Sequence, residues 1–143
     1  MSTATPSSPC ISYNLRKASR IVSKVYAQEM RGAPVPGPQF SLMMMIARQE
    51  SPTISELAEY MGTDRTTMTR NLEHLKRRGL IRIAQGKDLR TKSVELEPKG
   101  RTALERSMSY WRNAQTKVLA VLGEQRWDRM LADLSVLSGL TGP

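Results

Sequence analysis

Residues 53–100 read TISELAEYMGTDRTTMTRNLEHLKRRGLIRIAQGKDLRTKSVELEPKG, and the pattern of this stretch decides the fold. Thr53 followed by Glu56 matches a capping box, in which the hydroxyl accepts a free helix N–H and the carboxylate reaches back to the capping residue. Ile54, Leu57, Ala58 and Met61 then recur at helical spacing, and Gly62 ends the helix. After a tight turn, a second helix is expected from about Asp64 to Arg78. Met68, Leu72 and Leu75 bury one side of it. At about 100° per residue the opposite side carries Thr66, Thr69, Arg70, Glu73 and Arg77. Gly79 closes this helix behind two cations, and Leu80 folds back to make the apolar contact of the cap. Ile81 to Ala84 and Ser93 to Leu96 alternate apolar and polar residues as two half-buried strands should. The Gln85 to Lys92 connection holds Gly86, Lys87, Arg90 and Lys92 outward. The expected fold is mainly α with a small β-hairpin wing, a winged helix-turn-helix.

Charge is distributed to match. Between Arg65 and Lys92 there are nine Lys or Arg against Glu73 and Asp88, a net +7 when the whole 143-residue chain carries +9. The preceding helix carries Glu56 and Glu59. Positive charge is therefore concentrated on the second helix and the hairpin, as a polyanion-binding surface requires. With a pI near 10.2, the partner is expected to be nucleic acid or an acidic membrane surface. The membrane reading is the weaker, because these cations lie opposite a core stripe and not beside an exposed apolar one.

The stretch resembles the MarR (multiple antibiotic resistance regulator) family of bacterial transcription factors. The likeness is carried by Pro38-Gln39-Phe40 before an apolar helix, Glu56-Leu57-Ala58, Thr69-Arg70, the LKRRGLI run from Leu75 to Ile81, and Asp88-Leu89-Arg90, then Leu96 and Gly100. It extends over about Leu15 to Leu137. Glu97-Pro98 departs from the pattern, since the family often has Thr after the leucine, but Pro98 suits the first position of a helix. The resemblance implies a dimer whose first and last helices intertwine, a pseudo-palindromic double-stranded DNA operator, and release by a small phenolic or other aromatic effector.

Around this centre the chain is read as four parts. Residues 1–11 form a disordered tail, with Met1 to Pro9 too polar to offset the entropy of ordering. Residues 12–37 hold an N-terminal dimerisation helix, Ser12 to about Met30, and a linker broken by the prolines and glycines of Gly32 to Pro38. Residues 38–97 are the DNA-binding domain, beginning with a helix from Gln39 to Gln49 in which Phe40, Leu42, Met43, Ile46 and Ala47 are buried. Residues 98–143 are C-terminal dimerisation helices, Pro98 to about Leu122 and Glu124 to about Ser138. These and the first helix hold more apolar surface than a winged-helix core needs, which points to self-association.

In the duplex, Arg70 and Thr66 are expected at or near base edges, with Arg65, Thr67 and Thr69 close by and partly on phosphate. The resemblance implies that Arg90 reaches the minor groove and that Asp88 braces the wing by pairing with Arg90 or a neighbouring cation. Lys87 and Lys92 are expected on phosphate. By position, Tyr26, Met43, Met44 and Trp111 could line the effector cleft, although each also suits plain core. One histidine, His74, and one cysteine, Cys10, give no metal cluster and no triad, and no glycine-rich phosphate loop is present. No catalytic residue, metal or cofactor is expected. No signal peptide or membrane span is read, so the expected location is the cytoplasm.

Two alternatives stay open. One branch of the family senses organic hydroperoxides through a cysteine at the start of the first helix. Aligned on Ser19-Arg20 and Tyr26, that position falls on Ser12, two residues after Cys10. The other alternative is a dimeric winged-helix protein-interaction scaffold without DNA binding, against which the clustered cations argue.

Overall fold

The computed structural model describes residues 5–140; Met1 to Ala4 of the expected tail lie outside the described residues. In chain order the elements are α1 (Ile11–Glu29), α2 (Gly37–Arg48), α3 (Ile54–Tyr60), α4 (Arg65–Arg77), β1 (Ile81–Gln85), β2 (Lys92–Leu96), α5 (Pro98–Leu122) and α6 (Glu124–Ser138). This is the expected winged helix-turn-helix between terminal helices. The two strands pair antiparallel in the register Ile81 with Leu96 through Gln85 with Lys92.

Most boundaries differ from the sequence reading by a residue or two, and one burial expectation fails. Helix α1 starts at Ile11, and the residues before it are tied to it: the Cys10 N–H donates to Ser8 Oγ at 3.1 Å and Asn14 Nδ2 donates to the Ser8 carbonyl at 2.8 Å. Helix α2 starts at Gly37, so Pro38 belongs to its first turn, where the missing N–H is not needed. Ala47, expected in the core, is exposed; Phe40, Leu42, Met43 and Ile46 alone carry the buried face of α2.

The capping box of α3 forms as read, with Thr53 Oγ1 accepting from the Glu56 N–H at 3.1 Å and Glu56 Oε2 accepting from the Thr53 N–H at 3.2 Å. Asp64 caps α4 in the same way, accepting from the Thr67 N–H at 2.8 Å. Leu57, Met68, Leu72 and Leu75 close the core between these helices, with Phe40, Met43 and Val94 packed against them. One connection had no sequence signal. Val94 donates its N–H to the Pro52 carbonyl at 2.8 Å and Thr53 bridges Ser93, so the segment before α3 runs beside β2 and fixes the hairpin on the core.

The end of α4 is the tightest junction. Gly79 takes a left-handed φ of +73°. The Leu80 N–H bonds the Leu75 carbonyl at 3.1 Å and the Gly79 N–H bonds that of Lys76 at 2.9 Å, the two bonds of a Schellman cap. The Leu80 carbonyl then accepts the Glu97 N–H at 2.9 Å, and a Cβ on Gly100 would lie 2.0 Å from that same oxygen. Only glycine lets α5 approach the backbone so closely. Gly100→Ala is expected to destabilise the fold by about 2–4 kcal/mol, lowering the melting temperature by roughly 5–15 °C; thermal unfolding followed by circular dichroism measures it.

Candidate nucleic-acid interface

The N-terminal half of α4 presents Arg65, Thr66, Thr69 and Arg70 to solvent. Among the described residues Thr66, Thr69 and Arg70 make no side-chain hydrogen bond or ion pair, so their donors and acceptors are open to a ligand. Two of their neighbours are already engaged. Thr67 donates its hydroxyl to Asp64 Oδ2 at 2.7 Å, so it serves the helix cap and is not a free contact. Arg65 Nη1 reaches Ser55 Oγ at 3.2 Å and links α4 to α3 while leaving the rest of its guanidinium exposed.

Beyond β1 the wing tip holds itself rigid through its backbone. Asp88 Oδ1 accepts the Arg90 N–H at 3.1 Å, and the Asp88 carbonyl accepts both the N–H and the hydroxyl of Thr91, at 2.9 and 3.0 Å. Asp88 does brace the wing, but not by the expected pairing with a cation: among the described residues it forms no ion pair. That leaves the Arg90 guanidinium unneutralised. Lys87, Leu89 and Arg90 are all exposed at the tip, and Lys92 sits at the start of β2 facing solvent. Leu89 is 84% exposed, and Gln85 Nε2 donates to its carbonyl at 2.6 Å and fixes its backbone.

Between α4 and the wing runs a cleft of about 310 Å³ bordered by Thr69, Glu73, Lys76, Ile83 and Lys92. Glu73 is half-buried there, 4.0 Å from Lys76 on the same helix. Not every cation of the basic stretch is without a partner. Arg82 pairs across the hairpin with Glu95, which also accepts from Ser51 Oγ at 2.7 Å; the Ser51 bond and then Arg82 hold the Glu95 carboxyl below its ordinary value. Arg78 points away from the wing, toward the linker before α2. His74 is exposed on α4.

The four residues read as an effector cleft are separated by burial. Met43 is wholly enclosed in the core, where no cleft reaches it, because it lies on the inner face of α2. Tyr26, Met44 and Trp111 are half-buried where α1, α2 and α5 meet. Tyr26 donates its hydroxyl to Gln115 Oε1, and burial raises its pKa above the ordinary tyrosine value; Trp111 stacks on Phe40 with ring centroids 5.7 Å apart. Cys10 is exposed at the start of α1.

The sequence profile described as the MarR family matches residues 33–91. The structure of the Mycobacterium tuberculosis transcriptional regulator MosR in complex with DNA is 38% identical, with a TM-score of 0.81, over 91% of this chain and 94% of that one. The chain belongs to the MarR family. The transcriptional repressor CouR bound to a 23-mer DNA duplex shares the fold at 22% identity, with a TM-score of 0.81 and coverage of 90% and 92%. The Staphylococcus aureus MepR–DNA complex does so at 22% identity and a TM-score of 0.77, covering 93% of this chain and all of that one. No curated protein sequence matches. As a MarR-family transcriptional regulator this chain is not an enzyme. Among the described residues, no helix is long and apolar enough to cross a membrane.

Asp64 starts α4, the helix that presents Thr66, Thr69 and Arg70. The Thr67 N–H and then the Thr67 hydroxyl hold its carboxyl below the ordinary value. A lowered native pKa means that the cap stabilises the fold above the ordinary carboxylate range and loses that contribution as pH falls through the native value. Asp64→Ala should therefore melt below the wild type at pH 7, and the gap should narrow below about pH 4. Melts at pH 7 and pH 3 give the comparison.

Proposed function

We propose that this MarR-family regulator is a cytoplasmic homodimeric repressor that binds a pseudo-palindromic double-stranded DNA operator and is released by a small aromatic ligand. The observation that carries the DNA reading is the set of unpartnered side chains on one surface: Thr66, Thr69 and Arg70 on α4, with Lys87, Arg90 and Lys92 on the wing. Arg70 has the two-donor fork that pairs with guanine, and the threonines can meet polar edges or a thymine methyl. Arg90 at the exposed wing tip suits the narrow minor groove, and Lys87 and Lys92 suit phosphate.

Dimerisation is supported by the terminal helices. Neither α1 nor α6 has a buried residue, and Ile21 and Val22 on α1 and Met130, Leu131 and Leu134 on α6 expose large apolar side chains. Two copies joined on these faces present two recognition helices, as a two-fold operator requires. The aromatic joint of Tyr26, Trp111 and Phe40 lies between those helices and the winged domain, and supports the effector reading.

Duplexes selected by the protein from a randomised pool, and scrambled controls, supply the test by fluorescence anisotropy across a salt series. Specific binding is expected to exceed scrambled binding by roughly a thousandfold or more, with a steep negative salt slope. Arg70→Ala should collapse that ratio. Lys92→Ala should weaken both duplexes about equally and shrink the slope by about one. Equal binding of both duplexes by the wild type would refute sequence-specific regulation. Leu131→Glu should convert a dimer to a monomer in sedimentation velocity; an unchanged mass would exclude α6 from the interface.

A further inference from the structure

Arg78 is the one cation of the LKRRGLI run that turns inward. It is half-buried at the C-cap of α4, with Nη1 donating to Gln39 Oε1 at 3.0 Å and Nη2 donating to the Pro34 carbonyl at 2.8 Å. No carboxylate pairs with it among the described residues. Pro34 lies on the connection from α1 to α2, and Gln39 lies in the first turn of α2 that follows it. The same connection is gripped from its other side: the Val35 N–H donates to Ser107 Oγ at 3.1 Å, and that hydroxyl donates to the Ala103 carbonyl at 2.8 Å within α5. Val35 and Ser107 are completely buried. Proline on both sides of Val35 fixes two backbone angles of the segment, so it is stiff as well as held. From α5, Lys99 Nζ also donates to the Arg78 carbonyl at 2.9 Å.

We propose that Arg78 is a positioning residue for DNA binding: its guanidinium fork locks the end of the recognition helix to the Pro34-Val35 strut that α5 holds, fixing the helix relative to the terminal helices. The proposal rests on the DNA-binding reading above and names what sets the angle and spacing of the two recognition helices. A guanidinium spans two acceptors in one fixed plane; a lysine ammonium is a single point and cannot reproduce the geometry. Because the side chain points to neutral oxygens inside the protein, its loss should misplace α4 without removing a phosphate contact. A neighbour gives the contrast. Arg77 is exposed on the outer side of α4 and has no partner among the described residues.

The test uses the full chain and a duplex selected by the wild type from a randomised pool, together with versions whose half-site spacing is longer or shorter by one base pair. Wild type should bind the native spacing best. Arg78→Ala should lose roughly tenfold or more in affinity for it, keep the wild-type slope of log affinity against log salt, and discriminate spacings less. Arg77→Ala should instead reduce the slope by about 0.9 and keep the spacing preference. Arg78→Lys, which retains charge, should behave as Arg78→Ala on spacing, and it carries the test should the alanine variant fail to fold. Free of DNA, the Val35 amide should exchange faster in either Arg78 variant. A slope reduced by about one with an unchanged spacing profile would make Arg78 a phosphate contact and overturn the proposal. Full recovery by lysine, or an alanine variant equal to wild type, would also overturn it. A wild type that does not prefer the selected duplex would instead remove the DNA-binding reading on which the proposal stands.

Discussion

The structure depends most on the turn at Gly79-Leu80. Its left-handed glycine and two cap bonds stop the recognition helix, its Leu80 side chain is buried, and its Leu80 carbonyl receives the Glu97 amide while Gly100 lets α5 close on the same atom. Recognition helix, wing and long C-terminal helix thus leave a single backbone point in three directions. A displacement of that point would rotate the reading surface, the hairpin and the apolar terminal helices together.

Positive charge serves two ends in this chain. Arg70, Lys87, Arg90 and Lys92 stand unpaired on one surface, where their field is available to a polyanion. Arg78, Arg82 and Lys99 are engaged by partners within the chain, in a linker clamp, a cross-strand pair and a helix-end contact, the last two at the surface. A net charge summed along sequence counts both groups alike. The separation also accounts for the Asp88 arrangement: by bonding backbone groups it stiffens the wing without neutralising the guanidinium that the wing carries.

Most of the fold was legible in the sequence because its signals are local. Thr53 with Glu56 and Gly79 with Leu80 each determine structure within a few residues and formed as read; both strands formed too, although Ser93, placed outward by the alternation, is buried beside Val94. The misses are of another kind. Helical spacing does not say where Arg78 at the helix end turns, because its long side chain takes partners distant in sequence, Gln39 and Pro34. Thr67, expected close to the duplex, also donates its hydroxyl to the Asp64 cap, a use that spacing alone did not signal. Ala47 looked like core because its neighbours are apolar, yet the chain turns at Gln49 before anything covers it. Met43 shows the limit for the effector site, since periodicity separates inward from outward but not a packed interior from a cleft.

Hydroxyl-radical footprinting of the protein on a selected duplex tests the central claim most directly. Two recognition helices held at a fixed spacing should leave two protected patches with centres about one helical turn, or a multiple of it, apart and related by a dyad. Protection at the adjoining minor groove should vanish with Arg90→Ala. A single patch, or uniform protection of the duplex, would contradict a dimer that reads paired half-sites.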